Sequence, residues 1–219
     1  MTPDFWIERW QNGEIGFHQT SGNDLLPAHW PALGFAPEGA VLVPLCGKSL
    51  DMAWLAALGY RVVGVELSPL AVDDFFREQG VAADTRSVGP FTVRTAGPIT
   101  IWCGDIFALP AEAVAGVTAV YDRAALVAFP PSLQARYVQT LRRLVPAAPM
   151  LLISLSYPDG QIAGPPFSTS LAQVTELFGR DYDIGICETR DGLAQSPNLT
   201  RRGVTALDEA AYVLRPKGG

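Results

Sequence analysis

The chain alternates short, almost wholly apolar runs with longer stretches in which apolar residues recur every three or four positions. VLVPLCG (41–47), RVVGVELS (61–68), ITIWCG (99–104), VTAVYDR (117–123) and MLLISLSY (150–157) are of the first kind. Each predicts a strand buried on both faces. FTVRT (91–95), separated from ITIWCG by Ala96-Gly97-Pro98, predicts a hairpin partner, and further β segments are expected near 182–188 and 207–215. Helical spacing marks 49–59, 69–80, 132–145 and 170–179; in the third, Leu133, Tyr137, Leu141, Leu144 and Val145 share one side. Ser49 and Ser68 read as N-caps, Asp51 suits the positive end of a helix dipole, Pro69 fits a first turn, and Gly59 a stop.

Apolar strands alternating with helices predict an α/β fold: an open, doubly wound, mostly parallel sheet covered on both faces, with ligands beyond the carboxyl ends of its strands. Pro44 removes a ladder donor, so it is expected at the carboxyl end of the first strand. The first forty residues precede that strand and read as a helical cap rich in Trp and Phe. No repeat or linker divides the chain, so residues 1–219 read as one domain, with 1–40 over the ligand site.

Composition narrows the partners. Hydrophobic residues at 48% and charged ones at 17% supply one large core. No window reaches the ~18 consecutive apolar residues of a membrane helix, and MTPDFWIERWQNG has acids and tryptophans where a signal peptide has basic and then apolar residues. A cytoplasmic protein is expected. Net charge is 16 − 22 = −6, and no basic cluster is longer than a pair such as Arg201-Arg202. That is too little for a nucleic-acid face, so the expected partner is a small molecule. Cys46, Cys103 and Cys187 are too scattered and odd in number for a disulfide framework; with His18 and His29 the only histidines and no CxxC pair, no metal is predicted.

Gly47-Lys48-Ser49 ends like a phosphate loop, but the glycine such a loop needs five positions earlier is Leu42. The dinucleotide fingerprint is absent too, since this turn has one glycine. Glu66 closes the second strand 66 − 47 = 19 residues after Gly47, where a carboxylate accepts from a ribose diol or simply faces solvent. A nucleoside cofactor without a pyrophosphate fits, and S-adenosylmethionine is one. Asp105 either accepts from an adenine amine, with Ile106 and Phe107 walling the ring, or caps the next helical segment. Trp6 and Trp10, four apart, share a helix face. They either pin that helix or line a cofactor pocket, where an indole suits a sulfonium. Phe17 and His18 read as packing and structural hydrogen bonding, Cys46 as packing beside the cofactor. Asp122-Arg123 is either an internal salt bridge or a functional pair in which Asp122 orients Arg123. The loop from Tyr157 to Phe167, with five Pro and Gly residues, reads as a pocket rim.

FWIERWQNGEIGFHQ, VPLCGKSLDMAWLAALGYRVVGVELS, IWCGDIFALP, YDRAALVAFPP and GPPF together resemble the thiopurine S-methyltransferase family, most closely its bacterial members, from residue 5 to about 167. The resemblance implies a class I methyltransferase (Rossmann-like) sheet of seven strands, the last antiparallel. It implies S-adenosylmethionine as cofactor, S-adenosylhomocysteine as product, and methyl transfer to the sulfur of thiopurines and other aromatic or heterocyclic thiols. Selenium and tellurium compounds are associated with bacterial members. Trp10, Leu45, Glu66 and Arg123 match the family's cofactor contacts; Gly47, Leu67, Asp105 and Ile106 lie in the same segments; Trp6 and Phe17 are expected to line the pocket. Arg201 or Arg202 corresponds to a substrate-side arginine. Lys48 is expected to face solvent, Arg123 to steady the acceptor, and the enzyme to act as a monomer without a Cys or His nucleophile. The rivals are a nicotinamide-dependent oxidoreductase and a cofactor-binding domain without turnover.

Overall fold

The computed structural model describes residues 2–36 and 38–218. Its centre is five parallel strands: β1 (Ala40–Pro44), β2 (Arg61–Glu66), β5 (Ile99–Cys103), β6 (Val117–Arg123) and β7 (Met150–Ser156). Outside β7 lies β9 (Asp208–Pro216), antiparallel to it, and beyond that β8 (Tyr182–Asp191). The resulting order β5-β2-β1-β6-β7-β9-β8 is the expected seven-stranded sheet with its last strand reversed. Two more strands extend it: β3 (Asp84–Val88) and β4 (Phe91–Ala96) add antiparallel to the β5 edge, making nine among the described residues. β3 is mostly exposed and polar, so it carries neither an apolar run nor an alternation from which to predict it.

The central strands read as continuous apolar runs because both faces are covered. Val41 and Val43 pack with Met52 and Leu55 of α3 (Asp51–Ala57) and Phe75 and Phe76 of α4 (Pro69–Glu78). Leu42, Val65 and Val120 point the other way, into a cluster with Tyr137 and Leu141 of α5 (Pro131–Leu144) and Val174 of α6 (Leu171–Phe178). Helix starts follow the predicted chemistry. Ser68 Oγ accepts from the Ala71 N–H (3.3 Å), and Pro69 occupies the first turn. Ser49 departs from that prediction: Leu50, not Ser49, is the N-cap of α3, which begins two residues later than predicted, and the Ser49 Oγ accepts from the Asp51 N–H (3.2 Å) in the turn before it. Pro44 is the last residue of β1, where its missing donor costs no ladder bond.

After β1 the chain builds outward through β2 to β5, then returns to β1's other side for β6. The strand order therefore reverses between β1 and β6, and a crevice opens beyond their carboxyl ends. The N-terminal segment covers it with α1 (Pro3–Gln11), while α2 (Leu25–His29) and a 3₁₀ turn (Trp30–Leu33) pack on the sheet face beside α3 and α4. Trp30 is fully buried, edge-on to Phe35, Tyr60 and Tyr121 at 4.8, 5.8 and 6.2 Å between ring centroids.

A polar knot joins the same segment to the sheet. Asp51 accepts from the Asn23 N–H (2.8 Å) and the Tyr121 hydroxyl (3.0 Å), while the Asn23 amide donates to Glu209 (3.2 Å). Arg190 on β8 donates to Glu209 (2.7 Å) and to both oxygens of Asp24 (2.6 and 2.7 Å).

Trp30→Ala should destabilise the whole fold by about 3–5 kcal/mol, the usual range for a buried Trp or Phe truncated to Ala, read from the urea midpoint at unchanged slope. A loss below about 1 kcal/mol would show that the cap is not part of the cooperative unit.

Candidate active site

The crevice is a cavity of about 460 Å³. Trp6, Trp10, Leu45, Gly47, Glu66, Leu67, Asp105, Ile106, Phe17 and Arg123 all line it. Asp122 does not.

β1 ends abruptly because Leu45 adopts φ 49° and Gly47 φ 52°, turning the chain out of the sheet. A left-handed leucine is a strained conformation. Gly47 is required twice over: its φ is positive, and a Cβ there would meet the Trp10 ring at 3.0 Å. Trp10 is buried, with Phe17 edge-on to it at 5.6 Å and Trp6 edge-on to Phe17 at 5.7 Å. The paired tryptophans thus pin α1 and wall the cavity at once.

Glu66 is buried at the end of β2, and its two oxygens close two turns. Oε2 accepts from the Gly47 N–H (2.8 Å) and Oε1 from the Ser68 N–H (2.7 Å). Burial pushes its carboxyl above the ordinary range, and the N–H groups of Ser68, Gly47 and Leu67 pull it back. Each oxygen keeps a lone pair, so the group retains capacity for two further donors such as a vicinal diol. Asp105 takes the capping alternative, its Oδ1 accepting from the Phe107 N–H (3.0 Å), and its exposed side chain borders the cavity. Ile106 is buried beside it.

The geometry corrects three expectations. Asp122 neither pairs with Arg123 nor orients it. Neighbouring strand residues face opposite sides, so Tyr121 and Arg123 line the cavity while Asp122 points beneath α5. There it is fully buried and accepts from the Tyr137 hydroxyl (2.6 Å) and the Leu126 N–H (3.1 Å). Lys48 is not solvent-facing: it is tethered over α4 by Glu78 (2.7 Å) and Asp74 (3.5 Å) and lines the cavity. His18 has no structural hydrogen bond through its ring among the described residues, although its own N–H reaches the Ile15 carbonyl (2.8 Å).

Arg123 is half-buried and makes no hydrogen bond or ion pair among the described residues, which leaves five donors for a ligand. Ala124 after it adopts φ 64°. The predicted rim forms from Pro165 and Pro166, held by the Tyr157 hydroxyl on the Pro166 carbonyl (2.6 Å) and by Arg202 on the Pro165 carbonyl (2.6 Å). Arg202 thereby enters the cavity wall, whereas Arg201 lies outside it beside Asp191 and Thr200. Cys46 is buried, and burial pushes its thiol well up, which suits packing and not nucleophilic attack. Sequence reading missed Phe129 and Arg136, which both pack against Phe107. Phe129 is 5.5 Å away between ring centroids, and the Arg136 guanidinium lies 4.1 Å above the ring. The available signal was their position just after β6, at the ligand edge of a doubly wound sheet.

A family model described as Thiopurine S-methyltransferase (TPMT) matches residues 1–217. A thiopurine S-methyltransferase of Xanthomonas euvesicatoria pv. vesicatoria (strain 85-10) is 51% identical over 98% of this chain and 99% of its own length. That of Pseudomonas fluorescens (strain Pf0-1) is 45% identical over the same shares. Among solved structures, a SAM-dependent methyltransferase from Anabaena variabilis has the same fold at TM-score 0.67, with 17% identity over 98% of this chain and 95% of that one.

Burial pushes Asp122 from its ordinary 3.8 up to about 6, against the Tyr137 hydroxyl and the Leu126 and Ala125 N–H groups. A raised carboxyl stabilises the fold most below its unfolded value, and that contribution is lost as pH rises through the folded one. Between about pH 4 and pH 6.5, Asp122→Asn should remove on the order of 2–3 kcal/mol of this pH-dependent loss, measured as the flattening of unfolding free energy against pH.

Proposed function

The chain belongs to the thiopurine S-methyltransferase family, and we propose that it methylates the sulfur of thiopurines and related aromatic or heterocyclic thiols. It is an S-adenosylmethionine-dependent methyltransferase. The observation that carries the thiol reading is the combination, in one cavity, of an unpaired guanidinium, Arg123, with the aromatic wall of Phe107 and Phe129. That wall suits a flat ring, and the guanidinium suits a sulfur that reacts as an anion. Selenols, which are more acidic and softer nucleophiles, form a second acceptor class by the same chemistry.

The bound cofactor supplies a methyl group already activated on a sulfonium. The protein has to hold, orient and keep dry what it binds. Glu66 fits the ribose, since both of its oxygens have a lone pair to spare. Asp105, Ile106 and Leu67 would border the adenine side. Leu45 and Gly47 leave room at the β1 turn for the amino-acid tail, under the Trp10 ring, whose π face suits a cation. Trp6 and Phe17 seal the roof. Arg123 is read as touching both cofactor and acceptor.

Residues of one chain complete the cavity, which supports a monomer as the working unit and the first forty residues as part of a single functional domain. No described helix is long and apolar enough to cross a membrane, and the net charge of −6 argues against a nucleic-acid partner.

Release of S-adenosylhomocysteine with 6-mercaptopurine, against a control without acceptor, tests the reading. Product above the control is expected. Cofactor binding without transfer to any thiol would overturn the substrate assignment. Glu66→Ala should weaken cofactor binding by about 1.5–3 kcal/mol, the range for hydrogen bonds to a charged group, as measured by calorimetry. Unchanged affinity would remove Glu66 from the site. Arg123→Ala should lower turnover or cofactor affinity, and wild-type values for both would end its role.

A further inference from the structure

His18 lines the cavity within the segment that runs from α1 back toward the sheet, and it is half-buried. Among the described residues its ring forms no hydrogen bond, so both nitrogens are open to a ligand. The charged groups that bear on it come from four elements. Lys48 comes from the turn after β1, Arg123 from the end of β6, Glu78 from α4 and Asp51 from α3. Lys48 is held in place by Asp74 and Glu78, while Arg123 has no carboxylate partner among the described residues.

Burial, Lys48 and Arg123 disfavour the imidazolium, and Glu78 and Asp51 oppose them. The balance places the ring below its ordinary 6.5, so it is neutral at neutral pH and carries one acceptor nitrogen. A neutral acceptor that shares a cavity with a guanidinium unpaired among the described residues can take a proton from a bound group and leave the resulting anion within the field of a cation. An imidazolium formed in the field of Lys48 and Arg123 is in turn a willing acid and returns its proton to water.

We propose that His18 accepts the proton of the acceptor thiol, which makes it a catalytic residue of this site. The proposal rests on the thiol reading above. The S–H bond breaks with its electron pair left on sulfur, and an N–H bond forms on the imidazole. The thiolate lies beside Arg123, and its freed electron pair is the one that takes the methyl group. After the thioether leaves, the imidazolium gives its proton to solvent. For an acceptor already ionised in solution the step is unnecessary, so the dependence on His18 scales with acceptor pKa.

The test uses two acceptors of nearly equal shape at about pH 6. They are 4-nitrobenzenethiol, which is mostly thiolate there, and 4-methoxybenzenethiol, which is mostly thiol. In His18→Gln, kcat/KM should fall by about 10²-fold for the methoxy thiol, the lower end of general-base effects, and by at least tenfold less for the nitro thiol. Ultraviolet difference spectra of the S-adenosylhomocysteine complex give a readout independent of turnover. The thiolate band of bound methoxy thiol should appear with wild type and be lost in the variant.

His18→Asn, together with unchanged S-adenosylhomocysteine affinity, guards against a folding defect. Equal losses on both thiols, no loss on either, or a thiolate band that survives in both variants would overturn the proposal. If wild-type enzyme methylated neither thiol, the thiol reading would fall first and take this proposal with it.

Discussion

Glu66 reaches the end of β2 with no cation paired to it among the described residues, and the whole ligand edge is arranged around its carboxylate. One oxygen holds the turn after β1 and the other the turn after β2. A buried carboxylate is costly to desolvate, and these charge-assisted bonds to the backbone offset much of that cost. The Cys46 N–H on the Val65 carbonyl (2.9 Å) ties the first turn to β2, and the Glu66 side chain adds the link from Gly47 to the turn after β2. Gly47, held by Glu66, is in turn the surface on which Trp10 lies. The placement of α1 over the cavity is therefore inherited from an interaction in the sheet below it.

The cap has a second anchor in the knot of Asn23, Asp51, Tyr121, Glu209, Arg190 and Asp24. Every carboxylate in it has donors: Asp51 from a backbone N–H and a phenol, Glu209 from an amide and a guanidinium, Asp24 from the same guanidinium. Removing one partner would strand a buried polar group, which is why such a knot holds position strictly even where its net stabilisation is small. Three of its members, Asp51, Tyr121 and Glu209, also line the cavity. Cap, sheet and site are thus parts of one hydrogen-bonded body.

Much of this was legible in the chain. The five parallel strands and their alternation with helices follow from runs such as VLVP and VTAVY, because burial on both faces leaves no room for polar residues. Glu66 stands out for the same reason, as an acid where the pattern demands none. β3 left no trace because an exposed edge strand obeys no such rule. Asp122 was misread from adjacency, yet the period of a strand already separates neighbours onto opposite faces, so one of Asp122 and Arg123 had to turn away. Lys48 and His18 depend on contacts between the β1 turn, α4 and the cap, which no local pattern encodes. A lysine is solvated by default, and only the acids of α4, brought near by tertiary packing, draw it inward.

Leu45 and Ala124 end the two strands that flank the crevice, and both hold left-handed backbone that glycine would adopt more easily. Each costs roughly 1–2 kcal/mol that the rest of the fold must supply. The molecule is accordingly less stable than its architecture allows, at the two positions where the strand ends part to admit a ligand. The work of shaping the crevice is done once, as the chain folds, and is not repeated at each encounter. Selection for heat resistance alone would erode these two residues first, so their retention under such selection would register a demand for catalysis that stability does not explain.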